Sequence, residues 1–184
     1  LQKANVDGKD DKTFLYAVVT KEEIPRVLVV RGKDLMQGQG ARNKGQVKKL
    51  LTPDGTKIRA VYGPFPSGAQ LKEGLRLIRR IFPFFDTAKP VIAEGKHHRA
   101  NIEFNTQIRQ YPQNMRSSLF LPIGQNKGKI KMYRKSIRKV MLFLSGRGKE
   151  LRVMLEKEMK NAAHEERFED AATARRELFA LDHI

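Results

Sequence analysis

The chain has 184 residues (21.1 kDa), is 40% hydrophobic and carries a net charge of +17 at pH 7, which suits one ordinary domain with an appendage and excludes two large ones. It has no cysteine, so a disulfide framework and a thiolate metal site are excluded, and with no apolar run of about 18 residues and no secretory signal a cytoplasmic setting without membrane contact is expected. So large a positive charge points to a polyanion, with nucleic acid first, because each phosphate contacted releases counterions.

In chain order, Thr13 to Thr20 (TFLYAVVT) and Arg26 to Arg31 (RVLVVR) concentrate β-branched and aromatic residues on either side of KEEIP, and both are expected as strands of an antiparallel sheet. Gly32 to Thr56 is Gly-rich and basic. Its middle reads as a mobile insertion, Thr52 to Gly55 (TPDG) as a turn, and Lys57 to Tyr62 (KIRAVY) as a third strand. Ser67 and Gln70 stand at capping-box spacing before a helix whose Leu71, Leu75, Ile78 and Phe82 share one face, and Pro83 closes it. Lys72, Arg76, Arg79 and Arg80 form the opposite stripe, of the kind that tracks a phosphate backbone. A merely solvated face is the alternative reading, and the charge excess favours DNA or RNA.

Residues 86–128 have weak periodicity and many Gly, Pro, Asn and Gln, and read as irregular. His97 and His98 adjoin, but adjacent side chains diverge and no Asp, Cys or third His stands at ligand spacing, so no metal site is expected. Lys129 to Leu144 is an amphipathic helix with Ile137, Val140, Met141 and Leu144 on one side and Lys131, Arg134, Lys135, Arg138 and Lys139 around the rest. That pattern fits nucleic acid better than lipid. SGRG ends it.

The remainder differs in charge. Residues 151–184 hold six Lys/Arg against eight Asp/Glu, net −2, whereas residues 1–150 carry +19, so two partners of different chemistry are expected. Leu151, Leu155, Met159 and Ala162/Ala163 form one stripe, and Phe168, Ala171, Ala174, Leu178 and Leu181 another, separated by HEER. The pattern predicts a helical hairpin. Two such short helices are marginal alone, so the hairpin needs apolar surface from the rest of the chain or from a matching hairpin on a partner. Ala171 and Ala172 permit close backbone approach, Phe168 offers an aromatic anchor, and Glu169 and Arg175 can set register.

These residues resemble the UVR motif at Leu155, Met159, Ala162, Ala163, Phe168, Glu169, Ala171, Ala172, Arg175, Leu178 and Leu181. Glu166, Ala174 and Arg176 depart from its usual leucine, leucine and aspartate. The stretches KDDKTFLYAVVTKEEIPRV, YGPFPSGAQLKEGLRLIRRIFPF and FLSGRGKELRVMLEKEM resemble, in order and spacing, the UvrC family, whose members are the dual-incision nuclease subunits of bacterial nucleotide excision repair.

The resemblance implies an α+β fold: a small antiparallel sheet with amphipathic helices, then a C-terminal helical hairpin. Its expected parts are a basic α+β region over 1–98, an irregular connection over 99–128, a basic helix over 129–148 and the UVR hairpin over 149–184. It implies UvrB binding through Leu155, Met159, Phe168, Glu169, Ala171, Ala172, Arg175, Leu178 and Leu181. DNA binding is expected through Lys72, Arg76, Arg79, Arg80, Lys131, Arg134, Lys135, Arg138 and Lys139. Both nuclease centres of the family, a GIY-YIG module upstream and RNase H-like carboxylates downstream, are expected outside this chain, as are their divalent metals. The chain opens on Leu1 rather than Met, so a fragment or a degenerate relative is expected, and no catalytic residue or cofactor is assigned within it. Where many relatives carry a cysteine cluster this chain has QIRQYPQNM, with Tyr111 and Met115 in place of cysteines, so the usual iron–sulfur cluster is not expected. An RNA- or ribosome-binding protein and a UVR-bearing adaptor are the alternative functions. The SOS response is part of the repair expectation.

Overall fold

The computed structural model describes residues 14–37, 50–87 and 127–183. The expected 99–128 connection falls almost entirely outside them, as do His97, His98, Tyr111, Met115 and the Gly-rich middle of the 32–56 stretch. Strands β1 (Leu15–Thr20), β2 (Val27–Arg31) and β3 (Ile58–Phe65) form one antiparallel sheet of order β2-β1-β3. The helices are α1 (Gly32–Gln37), α2 (Gly68–Ile81), α3 (Lys127–Leu144), α4 (Gly148–His164) and α5 (Phe168–Leu181). The class is α+β, as expected. Two compact units are present, one of Leu1–Gly74 with Phe85–Val91 and one of Leu75–Phe84 with Ile92–Ile184.

In the first unit β1 is the middle strand and is buried on both faces, with Ala17, Val18, Val19 and Thr20 all at 0% exposure. Its register pairs Val18 with Leu28 on one side and with Val61 on the other. Val18, Leu28, Val30 and Leu35 make one core cluster, joined by Tyr16, Ile58 and Val61. Each fully buried aliphatic side chain of this kind contributes roughly 1.5–3 kcal/mol. Leu35 explains α1, which the Gly-rich composition hid. Six residues cannot hold a helix in isolation, but seating Leu35 on the sheet holds this one in place. β3 runs three residues beyond the expected Tyr62. Gly63 makes that extension possible, with φ +126° and room so tight that a Cβ would stand 3.1 Å from the Leu15 carbonyl oxygen.

Arg26 organises the irregular parts of the same unit. It is 0% exposed. Its Nε donates to Glu22 Oε2 (2.8 Å), one terminal nitrogen to the Thr87 carbonyl (3.1 Å), and the other to Asp54 Oδ2 and Thr56 Oγ1 (2.9 Å each), while its backbone N–H donates to Thr20 Oγ1 (2.8 Å). Asp54 sits on the expected TPDG turn and Thr56 directly follows it; the turn is closed by Gly55 N–H to the Thr52 carbonyl (2.9 Å) with Gly55 at φ +80°. Burial opposes ionisation of Asp54, but hydrogen bonds from Thr52, Arg26 and Thr56 outweigh it and lower its pKa to about 2.

Helix α2 begins at the expected cap, where Gln70 N–H donates to Ser67 Oγ at 3.3 Å. Its Leu71, Leu75 and Ile78 are buried, as is Phe82 just past its end. In the second unit α3 buries Ile130, Tyr133, Ile137 and Val140. Met141 and Leu144 are only half-buried, so the apolar face is the expected one but its buried part lies nearer the helix start. Helices α3 and α4 are joined by a turn in which Arg147 N–H reaches the Leu142 carbonyl and Gly146 N–H the Phe143 carbonyl (3.0 Å each), with Gly146 at φ +72°. This is a Schellman end. The same bonds recur after α4, from Arg167 N–H to the Ala162 carbonyl (2.8 Å) and Glu166 N–H to the Ala163 carbonyl (3.1 Å). There the left-handed position, at φ +57°, is held by Glu166.

Candidate functional site

Helices α4 and α5 pack against each other as the expected hairpin, and α4 also packs on α3. The seam between them is made from Leu151, Leu155, Ala162 and Ala174, all buried. Of the expected stripes, Leu151, Leu155, Ala162 and Ala174 are buried, Met159, Ala171, Leu178 and Leu181 are half-buried, and Ala163 and Phe168 are exposed, the clearest departure being Phe168. This ring is 69% exposed, because it stands at the first position of α5, beside the turn and too near the hairpin tip for α4 to cover. Phe179, three turns on, is 66% exposed and stacks its ring on His183, centroids 4.3 Å apart.

The exposed row of α5 is thus Phe168, Ala172, Arg175 and Phe179, at helical spacing. A groove of about 910 Å³ runs along it, lined by Met159, Glu169, Ala171, Ala172, Thr173, Arg175, Arg176 and Phe179. Of the nine hairpin residues expected to meet a partner, Met159, Glu169, Ala171, Ala172 and Arg175 line this groove and Phe168 is exposed near its start. Leu178 and Leu181 are half-buried. Leu155 is 0% exposed and serves the seam between the helices, not an outer surface. Phe179 carries no weight in the motif, but its spacing of eleven residues from Phe168 marks the same helical face.

The basic residues divide in the same way. Lys72, Arg76, Arg80, Lys131, Arg134 and Arg138 are exposed. Arg79 is half-buried, its guanidinium 4.6 Å from the Phe84 ring centroid, so it packs on that aromatic face. Lys135 remains 53% exposed while pairing with Glu158 at 3.0 Å. Lys139 departs from the expected open face. It is 6% exposed, its ammonium pairs with Glu158 at 3.1 Å and with Glu177, and it lies 5.5 Å from the Phe82 ring centroid. Three helices meet there, α3 through Lys139, α4 through Glu158 and α5 through Glu177. Burial pushes the Glu177 carboxyl above the usual carboxylate range, against the pull of Lys139 and with a further push from Glu158. A cation held this way fastens the hairpin to α3 and is withdrawn from phosphate.

Among the described residues no three His, Cys, Asp or Glu gather as a metal site, and no helix is long and apolar enough to cross a membrane.

Comparison with known proteins gives one consistent relationship. The chain is 29% identical over 183 residues to the UvrABC system protein C of Clostridium beijerinckii, covering 99% of this chain and 24% of that protein. It is 30% identical over 187 residues to that of Thermoanaerobacter sp. (98% and 24%) and 29% identical over 181 residues to that of Synechocystis sp. (98% and 24%). It spans about a quarter of the length of these relatives. No family profile matches the chain, and no solved structure does.

Proposed function

From a chain that is a relative of the UvrC proteins along nearly all of its length, we infer a role in bacterial nucleotide excision repair: its basic region binds DNA and its hairpin docks on UvrB, supporting dual incision of damaged DNA. The observation that carries this reading is the outward row of α5, where two large aromatic rings stand in water beside a groove. A monomeric helix gains nothing from exposing Phe168 and Phe179, while an interface uses such rings as anchors. Ala171 and Ala172 on the groove wall let a second helix approach closely, and Glu169 with Arg175 offers both charge signs for register. UvrB, through a homologous hairpin, is the partner this face suits. The likeness to UvrABC system protein C over 98–99% of the chain, with the net charge of +17, supports DNA as the ligand of the exposed cations Arg76, Arg80, Lys131, Arg134 and Arg138. Hydrolysis, in this reading, is carried out elsewhere in a UvrC-type protein, and this segment contributes recruitment and grip.

Titration of the chain with UvrB by calorimetry tests the docking half. Phe168→Ala is expected to weaken the complex by about 2 kcal/mol, a hot-spot loss, while its far-UV dichroism stays that of the wild type. Equal affinities would remove the hairpin face from the interface.

A further inference from the structure

A second recess lies at one end of the sheet in the first unit. The register brings Leu15 of β1 opposite both Arg31, the last residue of β2, and Phe65, the last residue of β3. Each outer strand then runs into a helix, β2 into α1 with Lys33 and Asp34, and β3 into α2 with Gly68 and Lys72. The start of α2 lies close on the strand, since a Cβ at Gly68 would come 2.5 Å from Leu15 Cδ1, and this fixes Lys72 one turn further on. The result is a groove of about 740 Å³ with Arg31, Lys33 and Lys72 around it and Leu15, Phe65 and Pro66 among its apolar walls. All three cations are exposed, and Asp34 is the one acid among the lining residues, so the rim carries a surplus of two positive charges.

This combination selects its ligand. A duplex backbone presents phosphates to a flat or convex basic surface and makes no use of an apolar recess with an aromatic wall. A peptide helix would need acids of its own to answer the rim's surplus of two positive charges. An unpaired nucleotide has the two faces required, a planar ring to lie against Phe65 and Pro66 and phosphates to meet Arg31, Lys33 and Lys72, which is how proteins hold single strands. The volume is in the ordinary range for a small-ligand site. We propose that this sheet-end groove holds a nucleotide of single-stranded DNA, base against Phe65 and phosphates between Arg31, Lys33 and Lys72. The proposal rests on the reading that the basic region binds DNA, and it adds a single-strand site distinct from the duplex-facing cations of α2 and α3.

The test uses the whole chain and two fluorescein-labelled probes, a mixed-sequence 15-nucleotide single strand and its duplex, with anisotropy measured across a salt series. Phe65→Leu keeps an apolar side chain and removes the ring; it is expected to weaken single-strand binding about tenfold and leave duplex affinity unchanged. The surface double variant Lys33→Gln/Lys72→Gln, which leaves the core intact, is expected to reduce the slope of log affinity against log salt for the single strand by about 1.4. Unchanged single-strand binding in both variants, or equal loss on both probes, overturns the proposal. Arg76→Gln/Arg80→Gln separates the two readings: if it loses duplex affinity while the groove variants lose nothing, the groove falls and general DNA binding stands. If the wild-type chain binds neither probe, both fall.

Discussion

Arg26 and Lys139 are both cations withdrawn from water, one in each compact unit, and they are held differently. Arg26 spreads its donors over a carboxylate four residues upstream, a turn 28 to 30 residues downstream and a carbonyl 61 residues downstream. Its rigid fork ties together segments that have no regular structure to align them. Lys139 places one point charge between two carboxylates on neighbouring helices, where the helices have already set the geometry. The sheet unit thus depends on a polar clamp where its chain is irregular, whereas the helical unit uses its ion pair to orient a hairpin whose apolar seam is already formed. It also separates two uses of aromatic residues. Phe84 and Phe85 are buried to within 1% and stabilise the fold, while Phe168 and Phe179 are exposed and available.

The largest effect is expected where that contrast is sharpest. Arg26→Met takes the guanidinium from Glu22, the Thr87 carbonyl and Asp54, which keeps its Thr52 and Thr56 hydroxyl donors, and is expected to destabilise the chain by about 4 kcal/mol, as breaking a buried pair from one side does, measured by urea unfolding. The Arg26–Asp54 contact also sets an acid limit. Because the Asp54 pKa is lowered from 3.8 to about 2, its contribution is complete above pH 3.8 and is lost as pH falls towards 2; Asp54→Asn abolishes that pH dependence. Lys139→Met comes next. It leaves Glu158 and Glu177 facing each other, and a loss of about 3 kcal/mol is expected, read from the thermal midpoint at pH 7. A loss as large as that of Arg26→Met would erase the distinction between clamp and orienting pair. The smallest effect belongs to the hairpin turn: Glu166→Gly relieves a left-handed non-glycine residue and is expected to stabilise the chain by about 1 kcal/mol, with the matched Gly146→Ala destabilising it by a similar amount.

Much of the fold is legible from local pattern, because strands and helices announce themselves by period. The β-branched runs yield β1 and β2, Ser67 with Gln70 marks the start of α2, and HEER separates α4 from α5. What escapes is whatever depends on distant partners. Helix α1 exists because Leu35 finds Val18, Leu28 and Val30, and nothing in GKDLMQ foretells that seat. Arg26 reads locally as the first residue of a strand. Lys139 reads as one more cation on a basic helix, since its two carboxylates arrive from residues 19 and 38 positions later. On the hairpin, spacing identifies the groove residues Ala171, Ala172 and Arg175, yet spacing alone groups Phe168 with the buried row, because a helical wheel has no information about where the neighbouring helix ends.

The Arg26 clamp has a consequence for how this chain tolerates change. The chain leaves the sheet through α1, seated by Leu35, and returns at Leu50, whose carbonyl accepts from Ile58 N–H at 3.0 Å on the turn that Arg26 holds. Both anchor points are tied to the sheet by contacts of their own, Leu35 on the core cluster and Leu50 on Ile58. The Leu50 return and the start of β3 thus rest on the same turn that the guanidinium holds, so losing the clamp is expected to loosen one edge of the sheet while the β1–β2 pairing keeps its register.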